Sequence, residues 1–421
     1  MKKFYILLIT MLIVSGAKAQ WVPQNSGTTN DLKSVCFPIA NKGYAVGTGG
    51  TILKTTDGGE TWMTQVSGTT KDLFSLCFTN AVTGYAVGDS GTILKTTTGG
   101  AYWNPQSSGT SNNLRCVQFP AEDTGYAVGT GSIVLKTTNG GTNWFIQNTN
   151  SSYYINSVYF TDANTGYAVG SAAFGWSGAG IILKTTNGGW SWTLLYSYAT
   201  TTYNCSFNTV YFSDAETGYA VGSVLGYFGW PVELKTLNGG IEWTNVNYVI
   251  SPDSFHFPVT DTGYAVGGWS TVVKTTDGGN NWISQYTNME ISLNDVYFTD
   301  SETGYVVGEN GTILKTENGG GMPVGIDESA VSSQQSAVVS CYPNPTAGSS
   351  QFTVRISQYQ YVTLKVYDIQ GREVAVLIDE NLPAGEHTVS YDVSGLPAGI
   401  YFYRFAVGGQ RSAVGGKIVK L

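Results

Sequence analysis

Along most of the chain, apolar residues come in short runs that alternate with Thr, Ser, Lys or Asn and stop at glycine. The first such stretch reads Leu32-Lys33-Ser34-Val35-Cys36-Phe37. It is followed by Gly43-Tyr44-Ala45-Val46-Gly47, by Ile52-Leu53-Lys54-Thr55, and after a turn by Trp62. Each run has the period of two expected of a half-buried strand, and each is too short for a helix face. The unit then recurs. Gly-Tyr-(Ala/Val)-Val-Gly begins at Gly43, Gly84, Gly125, Gly166, Gly218, Gly263 and Gly304, usually at a step of 41 residues. Every copy follows a run ending in Phe and precedes Leu/Val-Lys-Thr, and in all but the last copy Gly-Gly-x-x-Trp comes next. Four short strands per repeat predict a propeller blade, and seven copies predict seven blades.

The last repeat lacks its tryptophan and reads Glu317-Asn318-Gly319-Gly320-Gly321-Met322-Pro323. Trp21 stands 41 residues before Trp62, in the register of the missing strand. Residues Trp21 to Gln24 are therefore expected to supply the fourth strand of the seventh blade, closing the ring and covering its exposed edge. The expected organisation is a signal peptide at 1–19, a seven-bladed β-propeller at 20–321, a linker at 322–340 rich in Ser, Gln, Val and Ala, and a second β domain at 341–421. The leader reading rests on Lys2-Lys3, the apolar stretch Phe4 to Val14 and Ala17-Lys18-Ala19. No other apolar stretch approaches the length of a transmembrane helix.

Three resemblances follow from these motifs. Thr55-Thr56-Asp57-Gly58-Gly59-Glu60-Thr61-Trp62, matched at Thr275 to Trp282, resembles the Asp-box or BNR repeat of sialidase-type propellers; Asn139, Asn187, Asn238, Asn318 and Thr98 take the Asp position elsewhere. Across residues 21–320 the pattern is similar to the propellers of photosystem II assembly and stability factors. Cys341-Tyr342-Pro343-Asn344-Pro345, Asp368-Ile369-Gln370-Gly371-Arg372, Leu396-Pro397-Ala398-Gly399-Ile400-Tyr401 and the ending Gly416-Lys417-Ile418-Val419-Lys420-Leu421 resemble the type A sorting domain of the Bacteroidetes type IX secretion system. That resemblance implies a small Ig-like β-sandwich which carries the chain from the periplasm to the outer-membrane machinery and is normally cleaved during export or anchoring. The expected location is secreted or at the outer-membrane surface, and the expected partner of the tail is the secretion machinery.

Composition narrows the chemistry. The 421 residues carry a formal charge of −8, and loss of Lys2, Lys3 and Lys18 with the leader makes it −11. Nucleic acid is a poor partner for so acidic a chain. The five cysteines, Cys36, Cys77, Cys116, Cys205 and Cys341, lack the paired spacing of a zinc site, and no metal or cofactor is implied. Sialidase chemistry needs several arginines around a carboxylate, yet the propeller has only Arg115; its only histidine is His256. Asp162, Asp214, Asp261 and Asp300 recur just before Thr-Gly-Tyr or Asn-Thr-Gly-Tyr, which marks them as turn residues. A catalytic carboxylate pair stays open as the alternative reading, a secreted Asp-box glycoside hydrolase.

The departures from the repeat fall around blades four and five. The Tyr-to-Leu spacing, normally 9, is 16 from Tyr167 to Leu183 and 15 from Tyr219 to Leu234, and the Trp-to-Phe spacing, normally 16, is 20 from Trp192 to Phe212. These insertions emerge on one face of a propeller and bring Phe174, Trp176, Tyr196, Tyr198, Tyr203, Tyr227, Phe228 and Trp230. Such aromatics stack on sugars or anchor a protein partner. The sequence thus favours a non-enzymatic propeller that binds a glycan or protein through these eight candidates, with mutual packing of the loops as the competing account.

Overall fold

The computed structural model describes residues 21–147, 153–172, 178–198, 204–225, 230–246, 252–268, 270–285, 287, 289–320, 337–342, 348–356, 359–368, 372–407 and 414–420. The chain divides into two compact units, Met1–Gly325 and Ile326–Leu421.

The first unit is an all-β propeller of seven four-stranded antiparallel sheets. Blade one consists of Leu32–Ile39, Lys42–Gly47, Ile52–Thr55 and Met63–Thr64, from the centre outward. The inner strands of successive blades lie side by side around the centre, and the last adjoins the first. Blade seven uses Leu293–Phe298, Thr303–Gly308 and Ile313–Glu317, and its outer strand is Val22–Gln24, paired as Val22↔Lys315, Pro23↔Leu314 and Gln24↔Ile313. The expected closure by the start of the chain is therefore present, with Trp21 buried beneath it.

Neighbouring blades meet through an aromatic triad repeated seven times. Tyr44 stacks on Phe78 of the next blade at 4.2 Å, and Trp103 meets that Phe edge-on at 6.1 Å; Tyr264, Phe298 and Trp21 do the same at the last interface but one, and Tyr305, Phe37 and Trp62 at the closing one. Each aromatic pair adds about 0.5–1.5 kcal/mol beyond its buried area. The glycine before each Tyr leaves room for this packing, since a Cβ on Gly84 would lie 2.6 Å from the Phe78 ring.

A polar latch backs each triad. The Tyr hydroxyl and the Lys of the Leu-Lys-Thr strand both donate to one glycine carbonyl in the next Asp-box. Tyr44 and Lys54 donate to Gly99 at 2.8 and 2.6 Å, and Tyr85 and Lys95 to Gly140 at 2.7 and 2.6 Å. The series continues through Gly188, Gly239, Gly278 and Gly319. At the closing interface Tyr305 donates to Gly58 at 2.6 Å, while Lys315 pairs with Glu60 and Glu317. Burial pushes the hydroxyls of Tyr44, Tyr85 and Tyr126 up to about 12, so they remain donors at physiological pH.

The Asp-box is a self-contained turn. Thr55 Oγ1 accepts from Gly59 N, and Asp57 accepts from the amide and hydroxyl of Thr61; those bonds, the hydroxyl's first, draw Asp57 down to about 2. Where the sequence has Asn139, Asn187, Asn238 or Thr98, the side-chain oxygen accepts the corresponding amide, from Asn143, Ser191, Glu242 and Tyr102. One acceptor at this position satisfies the turn, which accounts for the substitutions.

The second unit contains a three-stranded sheet, Ala337–Tyr342, Ser349–Ile356 and Gly385–Asp392, and a four-stranded sheet of Glu373–Leu382, Gln360–Tyr367, Gly399–Val407 and Val414–Lys420. Phe352, Val354 and Ile356 from the first meet Val362, Leu364, Val366, Phe405 and Ile418 from the second in one core, as in a β-sandwich.

Candidate binding face

The irregularities of blades four and five are built as longer strands. In blade two the second and third strands, Gly84–Gly88 and Ile93–Thr96, begin pairing at Val87↔Ile93. Blade four continues past the equivalent Val169↔Ile182 through Gly170↔Ile181, Ser171↔Gly180 and Ala172↔Ala179. Blade five likewise passes Val221↔Glu233 through Gly222↔Val232, Ser223↔Pro231 and Val224↔Trp230. Three extra pairs raise each blade by about 10 Å at the rise of a strand. The inner strands rise with them, as Tyr153–Phe160 and Asn204–Phe212, and so does the outer strand of blade four, Thr193–Tyr198. The described flanks of the expected loops are thus strands, which form a wall on the face where the links between blades emerge.

The wall has its own core. Cys205, Phe207, Val224 and Val232 are buried in it, with Tyr196 and Tyr198 packed against them. Gly178 N–H donates to Asn204 Oδ1 and Cys205 N donates to Gly178 O, fastening blade four to blade five. Tyr196 and Tyr198 accordingly belong to a strand and are half-buried, where the sequence suggested loop residues. Trp230 begins the third strand of blade five, Trp230–Thr236, and its side chain is outside the described part. Phe174, Trp176, Tyr203, Tyr227 and Phe228 lie outside the described residues.

Beside the wall is the mouth of the central channel, where each inner strand contributes the residue four positions before its closing Phe. These are Lys33, Phe74, Arg115, Asn156, Asn208, Asp253 and Asn294. Arg115 lies over the Phe74 ring at 5.6 Å, Asn208 donates to Asp253 at 3.2 Å, and Asn156 and Asn294 donate to backbone carbonyls of the following blade. Burial pushes the Asp253 carboxyl above its ordinary value, against the pull of Asn208 and Lys33. Sequence reading missed this ring. Its signal was available: this position varies from blade to blade, as Lys, Phe, Arg, Asn or Asp, while Val or Leu two residues later and the closing Phe are nearly constant.

Deeper in the channel, polar side chains cap the inner edges of the sheets. Ser75 Oγ accepts Val117 N–H, Gln118 Oε1 accepts Phe160 N–H, His256 Nδ1 accepts Phe298 N–H and Asp295 Oδ2 accepts Val35 N–H, each from one blade to the next. An unpaired sheet edge inside a protein needs such acceptors. Asp295 also takes the Ser254 hydroxyl and Val296 N–H on Oδ1, and burial raises its carboxyl. Asp253 and Asp295, on neighbouring inner strands, form the carboxyl pair that a hydrolase reading would examine first. Both oxygens of Asp295 already serve the fold. Asp162, Asp214 and Asp300 each accept two backbone amides of their own turn, so they are structural. Burial holds His256 down at about 4 and raises the thiols of Cys36, Cys77 and Cys116, which keeps them unreactive. Among the described residues no group of three or more His, Cys, Asp or Glu is placed to hold a metal ion, and no helix is long and apolar enough to cross a membrane.

The model of a secretion system C-terminal sorting domain matches residues 340–420. The tail is a type IX sorting domain. The protein is therefore secreted or carried on the cell surface. The model of the photosynthesis system II assembly factor YCF48 matches residues 62–150 and 253–317, on either side of the irregular blades. A structure of YCF48 bound to D1 peptide is similar at 18% identity and a TM-score of 0.56, covering 70% of this chain and 96% of that one. YCF48 from Cyanidioschyzon merolae gives 20%, 0.56, 70% and 98%. A GH74 enzyme of Niastella koreensis gives 15% identity and a TM-score of 0.55, covering 96% of this chain and 74% of that one. At these identities the likeness is one of fold. Curated proteins give no match.

Proposed function

We propose that this is a non-enzymatic binding protein, exported through the periplasm by the type IX machinery that its tail engages at the outer membrane. Its propeller holds a glycan or a protein partner on the face where blades four and five rise. The observation that carries this reading is the pair of lengthened hairpins, Gly166–Ala172 with Ala179–Thr185 and Gly218–Leu225 with Trp230–Thr236. Everything common to the seven repeats serves the ring, and these additions belong to blades four and five alone. The aromatic candidates Phe174, Trp176, Tyr203, Tyr227, Phe228 and Trp230 belong to the same additions, and the peptide in the YCF48 structure favours the protein form of the reading.

The test is a glycan array and a polysaccharide pull-down with the chain from residue 20, beside a variant carrying Trp176→Ala and Trp230→Ala. Binding that the folded variant loses supports the glycan form, and no binding to any polysaccharide turns the search to protein partners. Hydrolysis of a bound polysaccharide that disappears in Asp253→Asn would replace the binding reading with the glycoside hydrolase one.

A further inference from the structure

The outer edges of the blades are poor templates for another strand, with one exception. Those of blades one, two, three, five, six and seven are two or three residues long: Met63–Thr64, Asn104–Gln106, Phe145–Gln147, Thr244–Asn245, Ile283–Gln285 and Val22–Gln24. Two of them contain proline, at Pro105 and Pro23. The outer strand of blade four, Thr193–Tyr198, is six residues long and reads Thr-Leu-Leu-Tyr-Ser-Tyr, without charge or proline. Among the described residues its one protective feature is a bulge opposite Ile182/Leu183. A long uncharged edge presents a row of backbone donors and acceptors that only another extended backbone matches.

We propose that this edge pairs with the same edge of a second copy of the chain, joining two blades into one eight-stranded antiparallel sheet about a twofold axis. Three observations select a second copy. The strand carries no charge, so its twofold image brings no like charges into contact, which matters for a chain of formal charge −8. Charged residues are also missing from Phe145–Gln147 on the next rim and from Trp190–Tyr198 throughout. Finally, Leu194, Leu195, Phe145 and Ile146 are 46, 39, 59 and 59% exposed. With the backbone edge they offer on the order of 500 Å² per copy, so a twofold pair covers about 1,000 Å², the lower end for a specific interface. Isologous twofold pairing is also the commonest form of self-association.

Sedimentation equilibrium of the chain from residue 20, from low micromolar to several hundred micromolar, tests this. The variant carries Leu194→Lys and Leu195→Lys, two exposed positions whose replacement leaves the core intact, with thermal unfolding as the check. The expected result is a monomer–dimer equilibrium that the variant weakens at least about tenfold, since four lysines then meet across the axis. Hydrogen exchange adds the position: amides of 193–198 gain protection with concentration while those of Asn104–Gln106 do not. A monomer at every concentration, or a dimer indifferent to the lysines, overturns the proposal.

Discussion

His256 provides a test of how the channel is built. Its Nδ1 accepts the Phe298 amide at 3.3 Å, so the neutral ring carries its proton on Nε2, and Tyr297 and Tyr211 flank it at 4.8 and 6.3 Å. Burial alone lowers its pKa from 6.5 to about 4. Protonation would charge a ring that has no anionic partner among the described residues and end its acceptance of the amide. Above pH 6.5 the ring is neutral in folded and unfolded chains, and its contribution to stability is fully present. As the pH falls through 6.5 the unfolded chain takes up the proton first, so stability is lost progressively until the folded ring also titrates near 4. The shift corresponds to about 3 kcal/mol in all, of which about 2.5 kcal/mol is lost by about pH 4.5.

Carboxylates titrate nearby, so the informative quantity is the difference between the wild type and His256→Gln, which keeps an acceptor for Phe298 N–H without a titrating ring. All eleven tryptophans lie between Trp21 and Trp282, and tryptophan fluorescence during urea unfolding therefore reports the propeller. The wild type should lose about 2.5 kcal/mol relative to the variant between about pH 7 and about pH 4.5. A difference that stays flat over that range would refute the placement of His256 as a desolvated neutral acceptor.

Four further measurements bear on the ring. Tyr85→Phe removes one of two donors to the Gly140 carbonyl and should cost about 1 kcal/mol in urea unfolding, because Lys95 remains. Gly125→Ala puts a Cβ 2.5 Å from the Phe119 ring, and the thermal midpoint should fall by the equivalent of about 3 kcal/mol. Asp277→Asn should be within about 0.5 kcal/mol of wild type, since Asn fills this position in other blades, whereas Asp277→Ala should cost about 1–2 kcal/mol by stranding the amides of Asn280 and Asn281. Trp21→Ala empties the 1% exposed site that seats the closing strand; a loss of about 3–5 kcal/mol is expected, with faster proteolysis at the chain's start.

The repeat made the fold legible because each blade states the same rule, and a missing Trp in the last copy with a spare one at Trp21 was enough to foretell the closure. The turn role of Asp162, Asp214 and Asp300 was equally readable, since repetition pointed to a backbone duty. The latch was not. Its acceptor is a glycine carbonyl one blade away, and a carbonyl leaves no mark in sequence. Nor was the wall, because Ser-Ala-Ala-Phe-Gly-Trp-Ser-Gly-Ala-Gly from Ser171 to Gly180 has the composition of a loop, and its strands are held by pairing to neighbours that were themselves unrecognised. Tyr196 and Tyr198, read from the sequence as loop residues, are half-buried strand residues packed against the wall's core, because the pairing that makes them a strand is not visible in their own residues.

The closing seam shows how far the repeated devices reach. Six of its lysine counterparts donate to a backbone carbonyl, whereas Lys315 turns to Glu60 across the seam and Glu317 on its own strand. Burial lowers the Lys315 pKa and the two carboxylates more than restore it. At this seam the outer strand of the last blade comes from the other end of the chain and is tied by three residue pairs. A covalently continuous blade brings its strands together through short turns; this one has to close a loop that spans nearly the whole propeller. The Tyr305 latch and the stacked aromatics are kept, and an ion pair is added where chain connectivity contributes nothing. The exception at Lys315 therefore marks the one interface closed by residues from distant parts of the propeller, and the pair with exposed Glu60 makes its charged contact subject to screening by salt.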